Sequence, residues 1–127
     1  MRTAPIYQVI AMKTAALNNC IKTGNKEWEE KHGDALDDLE KELPRGSGID
    51  AGTTIDREKT TKNKVVLKTE YHHMDENGYY DDWTTHTVIV TPSFDGIDIR
   101  ITGKNRNEIK DYLNELFHHS LSQHVNF

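Results

Sequence analysis

A chain of 127 residues with 35% apolar content has room for one domain and one thin core, a composition that borrows burial from a second subunit. Its one cysteine, Cys20, excludes an intrachain disulfide and a thiolate zinc site and fits a reducing compartment. The net charge is −5, and residues 25–43 alone carry −5, so the rest of the chain is balanced; duplex nucleic acid, which needs many cationic contacts, is disfavoured, while one small anion in a local basic pocket is allowed.

No stretch approaches the roughly 20 apolar residues of a membrane span, and the first residues lack a basic start followed by a hydrophobic run. The expectation is a soluble cytoplasmic protein without a membrane partner. The spacing predicts a first helix from Pro5, a favoured first helical residue, to Lys22, with Ile6, Ile10, Leu17 and Ile21 on one narrow stripe and Gly24 as its stop. A second helix is expected to start at Asn25 as N-cap, to carry Trp28, Ala35, Leu36, Leu39 and Leu43 on one side, and to end before Pro44. Its other face is acidic. Gly33 within it costs about 1 kcal/mol relative to alanine and suggests a kink or a close contact. The two helices form an antiparallel hairpin.

Three strands follow. Val65, Leu67, Thr69 and Tyr71 alternate with Val66, Lys68 and Glu70; Thr84 to Thr91 alternates with His86, Val88 and Val90 on one side; Ile97, Ile99 and Ile101 alternate with Asp98, Arg100 and Thr102. Turn chemistry at Asp75-Glu-Asn-Gly78 and Ser93-Phe-Asp-Gly96 joins them into an antiparallel meander. A last helix near Asn105 to Gln123 holds Ile109, Tyr112, Leu113, Leu116, Phe117 and Leu121 at helical spacing and covers the isoleucine face of the sheet. The fold class is α+β: an N-terminal helical hairpin, a three-stranded antiparallel meander and a C-terminal helix packed on the sheet, all in one domain spanning residues 1–127.

Three segments carry the chemistry. Gly46-Ser-Gly-Ile-Asp-Ala-Gly-Thr-Thr-Ile-Asp-Arg57 is a glycine- and hydroxyl-rich loop whose backbone can approach a ligand closely and whose Thr53, Thr54 and Arg57 offer donors to phosphate oxygens. Tyr71-His-His-Met-Asp-Glu-Asn-Gly-Tyr-Tyr-Asp-Asp-Trp83 gathers aromatics around a turn; Tyr79, Tyr80 and Trp83 cannot all face inward, so one is free to stack on a base. Gly103-Lys-Asn-Arg-Asn107 puts Lys104 and Arg106 at a helix N-terminus, where cations oppose the macrodipole unless an outside anion joins them. The plain alternatives are a capped helix, a surface arginine beside Asp56 and Glu58, and aromatics that begin a core strand.

Other chemistries fare worse. His72-His73 and His118-His119 are adjacent pairs, which diverge on a strand or a helix and do not give metal-ligand spacing; a composite site of His72, His86 and a carboxylate would have to span neighbouring strands. Cys20 has no flanking histidine, and Gly46-Ser-Gly lacks the strand-turn-helix setting of a nucleophile elbow. Asp75, Glu76, Asp81 and Asp82 are acids around a turn, commonly solvated. The residues specify no catalytic group, no metal and no cofactor.

Taken in this order in a chain of this size, GSGIDAGTTID, HHMDENGYYDDW and GKNRNEIKDY give the chain a resemblance across nearly its whole length to small phage proteins, the Thoeris anti-defence sponges of the first type. That resemblance implies a protein that binds, without cleaving, the glycocyclic ADP-ribose signal of TIR-domain defence enzymes in the infected cell. It further implies separate sites for cyclic trinucleotides in a larger assembly, and ligand pockets at a homodimer interface built from arginines and an aromatic. Carried onto this sequence, it assigns Arg57 and Arg106 to the diphosphate, Tyr79 to adenine stacking, and Asn105 or Asn107 to ribose or phosphate; Lys104, Thr54 and Trp83 join them on chemical grounds. The alternatives are an acidic protein-binding inhibitor of a host defence enzyme that uses the carboxylate face of residues 27–42, and a metal-free phosphodiesterase for the same nucleotide.

Overall fold

A computed structural model describes residues 2–45, 52–74, 80–93, 96–102 and 107–127. In chain order these form β1 (Thr3–Pro5), α1 (Ile6–Thr23), α2 (Lys26–Lys41), β2 (Thr53–Ile55), β3 (Val65–Met74), β4 (Tyr80–Ser93), β5 (Gly96–Thr102), α3 (Asn107–His119), a 3-10 turn at Ser120–Ser122 and β6 (His124–Asn126). The α+β class and the helix-hairpin, meander, helix order follow the sequence. The sheet does not stop at three strands: among the described residues it has four, in the order β2-β3-β4-β5, all antiparallel. A separate two-stranded ribbon joins β1 to β6, so the C-terminal tail, too short to assign from sequence, pairs with residues Thr3 to Pro5.

The helical hairpin is made by two residues. Gly24 takes φ 75°, and its N–H reaches the Ile21 carbonyl while the Asn25 N–H reaches the Cys20 carbonyl, the paired bonds of a Schellman stop. Asn25 then turns its side chain to accept the Trp28 N–H at 3.4 Å and caps α2. Pro5 is the residue before the first helical turn rather than its first member, because its own backbone still belongs to β1.

α1 is more deeply buried than its stripe suggests. Ile6, Tyr7, Val9, Ile10, Ala11, Thr14 and Leu17 are all buried, since the helix lies between the sheet, α2 and the C-terminal ribbon instead of packing on one neighbour. The core face of the sheet presents Ile55, Val65, Leu67, Val88, Val90 and Ile101, and α3 adds Leu113 and Phe117. Full burial of each such side chain contributes about 1.5–3 kcal/mol. Ser120 Oγ donates its proton to the Phe117 carbonyl at 2.6 Å, and Tyr7 therefore donates to the Ser120 hydroxyl, tying α1 to the end of α3. The opposite face is polar, with Thr54, Lys68, Thr85, Thr91 and Arg100 exposed. Val66 is buried there under Thr60, whose hydroxyl bonds the Val66 N–H at 3.0 Å.

β2 eluded the sequence pattern because it is only Thr-Thr-Ile, held by side chains as much as by its ladder. Glu40 accepts the Ile55 N–H at 3.1 Å, and Thr53 Oγ1 bonds the Pro44 carbonyl and Thr69 Oγ1. The end of α2 thereby covers the sheet edge that would otherwise expose free donors.

Candidate functional site

The strand registers bring the start of β2 and the end of β5 to one end of the sheet. Thr53, where β2 begins, pairs with Thr69; Thr102, where β5 ends, pairs with Thr87. Both lie toward the end at which β3 and β4 run on as a two-stranded arm, from the Glu70–Thr85 row to the Met74–Tyr80 row. Thr53 therefore opens one edge strand and Thr102 closes the other, with three strand spacings, about 14 Å, between the two strands.

At the entry of β2 a cleft of about 300 Å³ is lined by Glu40, Lys41, Leu43, Arg45, Gly52, Thr53 and Thr54. Leu43 is its buried floor. Lys41 ends α2, where the helix dipole favours a cation, and Arg45 follows the Pro44 stop. Both side chains are exposed, and neither forms an ion pair among the described residues. Glu40, the one carboxylate among the described lining residues, accepts the Ile55 N–H, and Thr53 is turned to the core. Thr54 alternates outward and is exposed. Among the described residues this leaves two cations without an ion pair and an exposed hydroxyl beside a glycine, a set that can hold one or two phosphate groups through charge-assisted bonds.

Of the residues that the sequence puts forward, Thr54 lines this cleft. Arg57 does not. Its Nη2 lies 2.7 Å from Asp37 Oδ1 and donates to the Gly33 carbonyl at 3.4 Å, while its own carbonyl accepts from Asn18 Nδ2 at 3.0 Å. Arg57 thus sits beyond the far end of β2, in a groove between α1 and α2, where a neighbouring carboxylate already occupies its guanidinium. Trp83 belongs to the arm, paired with His72, and Asn107 is the first residue of α3. Tyr79, Lys104, Asn105 and Arg106 lie outside the described residues.

Lys41 and Arg45 were missed because a helix C-terminus normally carries cations for its own dipole. The signal that could have found them is the string Lys41-Glu-Leu-Pro-Arg45, two cations bracketing a helix stop directly before the glycine-rich segment. The histidines are kept apart: His86 pairs with Thr69 and His72 with Trp83, three rows away. His86 is buried, its Nε2 2.6 Å from Thr84 Oγ1. Among the described residues no three His, Cys, Asp or Glu side chains converge on a point, and no helix is long and apolar enough to cross a membrane.

No protein-family model, curated protein or solved structure matches this chain.

Proposed function

We propose that the protein binds and sequesters a small anionic nucleotide, a cyclic ADP-ribose isomer of the glycocyclic kind, without cleaving it, and acts as a phage anti-defence sponge in the cytoplasm of an infected bacterium. The observation that carries this reading is the cleft at the entry of β2, lined by Lys41 and Arg45, which form no ion pair among the described residues, and by the exposed Thr54. A diphosphate there gains charge-assisted bonds of about 1.5–3 kcal/mol each.

Three such donors do not reach the roughly 12 kcal/mol of a nanomolar complex once ordering costs are subtracted. The remainder requires a stacked base, about 1–3 kcal/mol, and groups from elsewhere. A second copy of the chain is the simplest source, so the sponge is a homodimer or a higher homo-oligomer whose subunits share the ligand.

The test is release of a captured molecule. The purified protein is incubated with nucleotide extract from cells carrying an active TIR-domain defence enzyme, freed of unbound small molecules, heat-denatured and read by mass spectrometry. An intact cyclic ADP-ribose isomer supports the sponge. A linear product makes the protein an enzyme, and an empty protein rejects the reading.

A further inference from the structure

A second groove, about 550 Å³, opens on the hairpin side of Arg57. Its floor is apolar and belongs to α1: Leu17, which is buried, and Ile21, which is 54% exposed although it lies on the helix's own apolar stripe. Its rim is acidic. Glu29, Glu30 and Asp34 come from α2 and Glu58 from the segment after β2, against Lys26 alone once Arg57 and Asp37 neutralise one another. None of those four carboxylates forms an ion pair among the described residues.

The two halves of this surface ask for different things. A purely hydrophilic cation would leave Ile21 in water, and a purely apolar occupant would bury carboxylates without counter-charges, a cost of several kcal/mol per ion. A second copy of this chain, set symmetrically on the groove, would bring acid rim against acid rim. One occupant satisfies both: a segment with an apolar side chain on one face and lysines or arginines beside it.

We infer that the α1–α2 groove is a docking site for a basic amphipathic helix of a partner protein, with an apolar anchor seated on Leu17 and Ile21 and cations directed at Glu29, Glu30, Asp34 and Glu58. This surface is separate from the cleft at Lys41 and Arg45, so the partner and the nucleotide do not compete. Electrostatic complementarity of this kind accelerates association and makes it salt-dependent, while the apolar anchor sets the lifetime of the complex.

The experiment titrates a fluorescein-labelled 14-residue leucine–lysine amphipathic peptide with the full chain and follows anisotropy at low and moderate salt. Micromolar binding is expected. Glu30→Gln with Asp34→Asn should weaken it at least tenfold, and Ile21→Ser should do the same without changing charge. Asp38→Asn with Glu42→Gln, an equal change of charge outside this groove, should alter it less than twofold. Equal losses in the two charge variants, or wild-type affinity in the Ile21 variant, would overturn the proposal. Ile21, Glu30 and Asp34 are exposed, so circular dichroism is expected to show all variants folded.

Discussion

Arg57 Nη2 stands 2.7 Å from Asp37 Oδ1 and reaches past it to the Gly33 carbonyl, fastening the segment after β2 to the middle of α2. Both side chains are partly solvated, so the pair is worth about 0.2–1 kcal/mol. Arg57→Ala and Asp37→Asn should each lower stability by that much, and the double variant should lose little more. A denaturant double-mutant cycle reads the coupling. Because the guanidinium is engaged away from the cleft, Arg57→Ala is expected to keep nucleotide affinity within about threefold; a loss of binding with no loss of stability would return Arg57 to the ligand site.

Gly24 and Gly33 should respond to alanine with opposite signs. Gly24 has φ 75° and nothing within 4 Å of a Cβ placed there, so Gly24→Ala carries conformational strain alone, about 1–2 kcal/mol. At Gly33 the nearest atom to such a Cβ is Arg57 Nη1 at 3.7 Å, an ordinary contact, and the helix gains up to about 1 kcal/mol of propensity. Urea midpoints of the two variants decide the matter. Destabilisation by Gly33→Ala would mean that the Arg57 guanidinium cannot yield.

Tyr7 ties alkaline stability to the burial of one phenol. Burial of its phenol, only partly offset by the Ser120 hydroxyl, pushes its pKa up to about 12. The folded state therefore favours the protonated phenol. This contribution is complete below pH 10, where the unfolded phenol is also protonated, and is lost as pH rises from 10 through 12. Tyr7→Phe should cost about 1 kcal/mol at pH 8, since Ser120 keeps its bond to the Phe117 carbonyl, and should flatten the fall in stability between pH 10 and 12. Parallel alkaline losses in both proteins would contradict this.

His32 works in the acid direction. Desolvation first, and then the charge of Lys13 on α1, lower its pKa below 6.5 in the folded protein. Its neutral form is favoured on folding, so its contribution is present above pH 6.5 and fades as pH falls through the lowered value. An NMR titration of the His32 ring should place its midpoint below 6.5, and Lys13→Gln should raise it; an unmoved midpoint would deny the Lys13 influence.

Much of this fold was legible because its signals are local. Gly24-Asn25, the alternation of Val65 to Tyr71 and the stripe of Ile109 to Phe117 name their structures within a few residues. β2 and the β1–β6 ribbon were not legible, because each strand has three residues and is stabilised by partners far along the chain: Glu40 and Thr69 for β2, and the mutual pairing of the termini for the ribbon. The candidate site divides in the same way. Thr54 of the glycine-rich segment lines the cleft, whereas Arg57 lies in another groove against Asp37, twenty residues earlier on another element and beyond the reach of a local sequence pattern. Lys41 and Arg45 enter only when β2 folds back against the end of α2 and makes a cleft of them.

The most direct test of the sponge is an isothermal titration of a purified glycocyclic ADP-ribose isomer into the wild-type chain and into a Lys41→Ala, Arg45→Ala variant of equal thermal stability. The account predicts saturable binding at submicromolar affinity by the wild type, at least a hundredfold loss in the variant, and ligand recovered at unchanged mass. Binding that survives both substitutions would contradict it.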